Sequence, residues 1–186
     1  MEFSELLLKR RSIRGFEDKD VPMELIDEVI ADSLYAPSGG NRQAWGFIIV
    51  NDRDTVKRLS DSSKKNILEQ IEKDPDSYMA RYKDGLSNEK LNVFHNAPCV
   101  VFILGEKGPM GKVDPAILAT YFMLSAAAKG LGTCWIGLGT SPGPDMKAEI
   151  GVPDDMTILA PLCLGYPKNI PDVPERKPAN ILKRIG

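Results

Sequence analysis

Histidine is almost missing from this chain: His95 is the single one in 186 residues. A zinc or iron centre built from several imidazoles is thereby excluded, and a Ser-His-Asp triad would have to run through that one ring. Cysteine is scarce as well. Cys99, Cys134 and Cys163 are well separated, form no CxxC and lie in apolar runs such as Pro98-Cys99-Val100-Val101-Phe102. That is the setting of buried thiols in a reducing compartment, not of a disulfide framework. Long hydrophobic runs are also lacking. The longest, Ala97 to Leu104, is far below the ~20 residues of a membrane span, and Met1 to Ser12 holds no apolar signal core. Neither sign of charge dominates: 24 Lys and Arg against 26 Asp and Glu leave a net charge of −2, without the overall footprint of a nucleic-acid binder. Neither GxGxxG nor GxxxxGK[ST] occurs, which removes the dinucleotide fingerprint and the P-loop, and no solenoid-length repeat is present. The chain reads as a soluble, cytoplasmic protein that engages neither nucleic acid nor membrane.

What is present is ordinary globular material, 42% hydrophobic and 27% charged. A chain this long buries about 70% of its extended surface on folding, and no linker divides it, so one domain over residues 1–186 is expected, with an extended tail at 165–186. Glu2 to Arg10 has helical apolar spacing and turns basic at its end, where cations suit the helix dipole. Pro22 opens a second amphipathic helix that stops near Ala36-Pro37. Ala44 to Val50 reads as a buried strand, Asp54 to Lys73 as a charged helix, and Pro98 to Leu104 as a second buried strand. Tyr78 to Asn96 is polar and aromatic, fitting either a helical cover over a pocket or a surface excursion. Asp114-Pro115 is expected as N-cap and N1 of a helix over Ala116 to Lys129, closed by Gly130. That helix has almost no polar face and needs cover on nearly every side, for which a partner subunit is one source. Thr133 to Gly137 follows as a strand, Pro144 to Ile150 as a short helix, and Thr157 to Leu164 as a strand whose Pro161 suggests an edge or a bulge.

Three segments carry candidate chemistry. In Arg10-Arg11-Ser12-Ile13-Arg14, an extended backbone would place Arg10, Ser12 and Arg14 on one side, two guanidinium forks and a hydroxyl suited to a phosphate. Alone, the same residues also make a basic helix end. Pro37-Ser38-Gly39-Gly40-Asn41-Arg42-Gln43 offers glycine backbone that a flat ligand can approach, with donors and acceptors on Asn41 and Gln43; alone, it is also a helix-to-strand turn. Gly130 to Gly139 brackets a strand with glycines, and Arg176-Lys177 in the tail can be either solvated or folded back onto a phosphate. His95 reads as a residue at a helix end ahead of a strand.

Taken together and in order, Arg10 to Arg14, Ala36 to Trp45, Gly130 to Gly137 and Gly165-Tyr166-Pro167 leading to Pro174-Glu175-Arg176-Lys177-Pro178 resemble the FMN-dependent nitroreductase family over essentially the whole chain. The resemblance implies an α+β fold, a central mixed, largely antiparallel sheet sandwiched by helices, in an intertwined homodimer with two FMN sites at the subunit interface. It implies that Arg10, Arg11 and Ser12 hold phosphate and ribityl chain, with Arg176 and Lys177 closing the phosphate site. Arg14 would face the pyrimidine edge, Pro37, Ser38, Gly39, Asn41 and Gln43 would come from the other subunit, and backbone at Ile136, Gly137 and Leu138 would face N5. Many relatives carry an acidic residue in that last segment, where this chain has glycine. The implied activity is ping-pong hydride transfer from NADH or NADPH through FMN to a nitroaromatic, quinone or similar small electrophile, with no catalytic side chain and no metal. Reductive dehalogenation, flavin modification, dehydrogenation by an oxidase, or non-catalytic flavin sensing are the alternatives on the same scaffold, and a lid from Ser62 to Asn92 would distinguish the acceptors.

Overall fold

The computed structural model describes residues 2–108 and 111–186, so Met1, the first residue of the expected domain, lies outside the described residues. Apolar runs that can pair only with one another make the centre of the molecule. Strands β1 (Trp45–Val50), β2 (Cys99–Glu106), β3 (Gly132–Trp135) and β4 (Met156–Gly165) form one sheet in the order β1-β2-β4-β3, and every ladder is antiparallel. Among the described residues the one parallel contribution is an isolated bridge between Ser12 and Thr133. The helices are α1 (Phe3–Lys9), α2 (Met23–Ser33), α3 (Arg53–Lys73), α4 (Lys83–Leu86), α5 (Val113–Ala128) and α6 (Pro144–Glu149), joined by 3-10 turns at Gly39–Asn41, Tyr78–Tyr82 and Gly137–Thr140.

Alternation along the strands builds two cores. On β2, Val100, Phe102 and Leu104 face a cluster completed by Val56, Leu59, Ile67 and Ile71 of α3 and by Met146 of α6. Cys99, Val101 and Ile103 face the opposite cluster, with Ile26 and Val29 of α2 and Leu118, Phe122 and Ala126 of α5. The result is three layers, helices on both faces of a sheet whose inner strand β2 is buried from Cys99 to Gly105. On β4 the alternation breaks once: Ile158 belongs to the first core, yet Ala160 belongs to the second. Ile103 pairs with Ala160 while Leu104 pairs with Ile158, so Leu159 is the extra residue of a β-bulge that reverses the phase.

Several expectations need correction. Pro161 is in a central strand, not an edge strand, two residues from that bulge. Its carbonyl accepts from Ile136 N at 2.9 Å, just past the end of β3, so its missing donor falls where the β3 ladder has already stopped. Strand β3 ends at Trp135, and Gly137 belongs to the following 3-10 turn. Strand β1 is half-buried at an edge, buried fully only at Val50. Helix α5 begins at Val113 with Lys112 as N-cap, so Asp114 is inside the first turn and Pro115 follows it, where a missing N–H costs no helical bond. Gly165 belongs to β4, and Tyr166 to Lys168 pair with residues 15–17, so the irregular, exposed stretch starts after Lys168. No described helix is long and apolar enough to cross a membrane.

The segment after α1 is held by close packing. A Cβ on Gly132 would lie 2.6 Å from Ile13 Cγ1 and 2.9 Å from Ile13 Cβ. Ile13 is 3% exposed and sits between Ser12 and Arg14. Gly132→Ala is therefore expected to destabilise the fold by about 1–3 kcal/mol through overpacking, read as a lower denaturant midpoint; an unchanged midpoint would show that the segment yields freely.

Candidate functional site

Helix α1 ends where Arg10 adopts extended backbone, and the chain then runs along β3, with Ile13 N donating to Thr133 O at 2.9 Å. Extended geometry sorts the side chains to two sides. Arg11 and Ile13 are buried, whereas Arg10 and Ser12 are half-buried and Arg14 is exposed. The expected alternation of Arg10, Ser12 and Arg14 is thus present, but Arg11 is turned away from it. Its Nη2 donates to Leu7 O at 2.8 Å and Leu8 O at 2.7 Å, capping α1. Burial, then the neighbouring cations Arg11 and Arg176, lower the Arg10 pKa. The tail thus carries Arg176 near enough for its charge to act on Arg10, and Arg176 and Lys177 are both exposed. None of the described ion pairs includes Arg10, Arg14 or Arg176. Cations that converge without a carboxylate define a site for an anion.

Arg14 opens onto a cavity of about 520 Å³. Cys134 to Leu138 form one wall; Tyr78, Met79, Tyr82, Leu91, Val93 and His95 form the other. A Cβ on Gly137 would meet nothing within 4 Å, so glycine leaves that wall open to a flat ligand. His95 holds a left-handed backbone, φ 55°, and burial followed by the Arg14 charge lowers its pKa, keeping the imidazole neutral. The second wall has no sequence periodicity; tertiary bonds place it. The buried Lys64 of α3 donates to Glu89 O at 3.3 Å and pairs with Asp61 at 3.2 Å, and Val93 N donates to Ser60 Oγ at 2.9 Å. Sequence reasoning named the segment but not these lining side chains; the density of aromatics from Tyr78 onward was the available signal.

Pro37 to Gln43 is elsewhere. Gly40, Asn41 and Gln43 all have positive φ, and the turn is closed by Gln43 N donating to Ser38 Oγ at 3.0 Å. Asp114, 3% exposed, accepts from Gly39 N through both carboxylate oxygens at 3.2 Å, and Arg42 pairs with Glu106 at 3.0 Å. Pro37, Gly39, Asn41 and Gln43 are exposed. This loop enters β1 at Trp45, opposite Gly105. Ser12 is beside Thr133, opposite Leu164, which in turn pairs with Cys99. The two groups therefore occupy diagonal corners of the sheet, about 25 Å apart by strand rise and spacing. One chain does not bring them together.

The three thiols are buried and free. Burial pushes Cys99 up to about 12, and raises Cys163 and Cys134 as well, although Cys134 faces Arg14, Arg10 and Ser12. Alkylation of the native protein by iodoacetamide at pH 8 is expected to leave all three unmodified by intact mass, since the thiolate is the reactive form; rapid labelling of Cys134 would contradict this.

An α+β sheet flanked by helices carries, at its β3 edge, arginines outside any described ion pair beside an open, aromatic-lined cavity, an arrangement suited to an anionic ligand. The chain belongs to the Nitroreductase family, whose model matches residues 7–166. Over 95% of its length it is 31% identical to iodotyrosine deiodinase 1 of Rattus norvegicus, spanning 66% of that protein. Its fold matches a nitroreductase with bound FMN from Bacteroides fragilis NCTC 9343 with TM-score 0.83, 22% identity and coverage of 100% and 99% of the two chains. An FMN and NADPH-dependent nitroreductase from Sphigopyxis sp. strain HMH matches with TM-score 0.79 and 22% identity over all of both chains.

Proposed function

We propose that this chain is an FMN-dependent oxidoreductase that draws electrons from NADH or NADPH and reduces a small electrophile, working as a homodimer in the cytoplasm. The observation that carries the reading is that Arg10, Arg14 and Ser12 lie around Cys134, with Arg176 near enough for its charge to act on Arg10 and none of the three arginines in a described ion pair, next to a cavity walled by Ile136, Gly137 and Leu138. Those residues fit a phosphate joined to a flat ring. Arg10, Ser12 and Arg176 would hold the phosphate and its chain, with Lys177 closing from the tail. Arg14 would face the ring edge that gains negative charge on reduction, where a fixed cation is worth most in a water-poor site. The open face of Gly137 would let backbone approach the reacting position. When bound, FMN supplies alternating two-electron acceptance and donation, which gives ping-pong kinetics.

Pro37, Ser38, Gly39, Asn41 and Gln43 would complete the site from a second copy, since their own clamp is at the opposite corner. Helix α5 supports this, with Val113 48% and Tyr121 39% exposed on a helix almost without polar residues. Arg11 acts in this reading by fixing the end of α1, and so the start of the clamp. The bound FMN of the Bacteroides relative and the NADPH dependence of the Sphigopyxis relative support cofactor and donor. The deiodinase relative makes reductive dehalogenation of an aromatic the alternative acceptor chemistry. The test is to purify the protein, identify bound flavin by its spectrum and follow anaerobic bleaching by each nicotinamide, then add a nitroaromatic or an iodophenol and measure reoxidation. Protein that stays colourless and takes up no FMN would overturn the reading.

A further inference from the structure

An acceptor that receives a hydride also needs one proton, and the cavity beside Arg14 holds few groups that can supply it. Its titratable lining is Arg14 from the segment after α1, Tyr78 and Tyr82 from the 3-10 turn, Cys134 from β3, and His95; no carboxylate and no lysine is among the lining residues. A guanidinium keeps its proton, and phenols release theirs only at about pH 10; the Tyr78 hydroxyl holds Tyr82 higher still. Burial raises the Cys134 thiol. His95 is the lining group whose ordinary range spans neutral pH, and burial followed by the Arg14 charge makes its protonated form the stronger acid.

The backbone holds that ring in place with bonds of its own. Val93 and His95 line the cavity, while Phe94 between them is fully buried, edge to face with Phe102 at 6.0 Å. His95 and Asn96 both adopt left-handed backbone, φ 55° and 52°, an uncommon conformation that persists where surrounding contacts enforce it. Here His95 N donates to Asn92 O and Phe94 N to Asn92 Oδ1, both at 2.9 Å, and Phe94 O accepts from Ala97 N and from the Cys163 thiol, both at 3.0 Å. None of these bonds uses the imidazole, and no described ion pair uses it. The ring is left for a ligand, on the wall opposite Ile136, Gly137 and Leu138. We propose that His95 is the catalytic acid of acceptor reduction: its N–H bond breaks as an O–H bond forms on the nitro or quinone oxygen that has gained the electron pair of the hydride. The hydride is the one that the nicotinamide donor supplies through FMN. Together with this one proton it converts a quinone to a hydroquinone, or a nitro group to a nitroso group and water. The neutral imidazole then takes a proton from solvent. The inference rests on the flavoenzyme reading and deepens it.

The test uses FMN-loaded protein, reduced anaerobically and mixed in a stopped-flow instrument with nitrobenzene or, separately, with ferricyanide, which takes electrons without a proton. Reoxidation by nitrobenzene is expected to slow as pH rises through a midpoint below the ordinary histidine value of about 6.5. His95→Asn keeps a side chain that tolerates left-handed backbone and removes the acid. Below the midpoint its reaction with nitrobenzene should fall on the order of 100-fold and lose the pH limb, while its reaction with ferricyanide matches that of the parent. As the single histidine of the chain, His95 also gives one imidazole Cε1–H NMR signal, whose titration in the reduced, FMN-loaded parent should share the kinetic midpoint. A variant that keeps the parent rate and limb, a variant that slows ferricyanide equally, or two midpoints that disagree would overturn the inference while leaving the flavoenzyme reading intact. The comparison of midpoints decides even where the variant does not fold. A chain that takes up no FMN would overturn both.

Discussion

Replacing Arg10 by alanine is expected to weaken FMN retention by roughly 10- to 100-fold, because one guanidinium donating to a phosphate oxygen contributes on the order of 1.5–3 kcal/mol. The fold itself should not suffer. Arg10 is half-buried beside Arg11 and Arg176, and burial and those two charges already disfavour its cation. Removing it relieves like-charge crowding in the cofactor-free protein. The signature is therefore a split: a raised Kd in fluorescence titration of the cofactor-free protein with FMN, alongside a thermal midpoint of that protein that is equal or higher. The affinity of the parent protein should fall steeply with salt, and that of Arg10→Ala less so, since one charged contact has gone. Unchanged flavin affinity would remove Arg10 from the site. A lowered midpoint together with weaker binding would mean that Arg10 supports the fold instead.

The alternation of Arg10 to Arg14 was legible in the sequence because two local rules agree there. A helix with a basic end stops, and an extended chain after it alternates, so Arg10, Ser12 and Arg14 share a side whatever the rest of the fold does. The fate of Arg11 was hidden by the same rule, since alternation says only that it points elsewhere; the acceptors are the Leu7 and Leu8 carbonyls of its own helix. Strands rich in β-branched residues and the helix stop at Gly130 were equally readable. Asp114 was misread for a physical reason. Local pattern makes an acid before proline a cap, but its partner is Gly39, 75 residues away, and only the folded sheet brings them together. Pro161 was read in part: the bulge it suggested is at Leu159, but the strand is an inner one and not an edge. Proline excludes a donor, and the sequence does not say that the neighbouring strand has already ended at that point. The cavity wall from Tyr78 to His95 was least legible, because long-range bonds to Ser60 and Lys64 position it and no periodicity records them.

The diagonal separation of the two candidate half-sites leads to the largest expected effect. If each FMN site takes its clamp from one chain and its Pro37 to Gln43 loop from the other, then defects in different halves should complement. Asp114→Ala removes the acceptor of Gly39 N and leaves that donor unpaired, costing about 1–3 kcal/mol and loosening the loop that serves the partner's site. Arg10→Ala damages the clamp and leaves the loop intact. Each homodimer then has two defective sites. In a mixed dimer, one site combines both defects, while the other joins an intact clamp from the Asp114→Ala chain to an intact loop from the Arg10→Ala chain. Random pairing of equal amounts makes half of the dimers mixed, so tight FMN binding should return to about a quarter of all sites by two-fold symmetry. Co-expression with two affinity tags isolates the mixed species, in which one flavin per dimer is expected. A mixed dimer with no recovered site would show that the loop and clamp do not share a cofactor, and Pro37, Ser38, Gly39, Asn41 and Gln43 would then lose their assigned role.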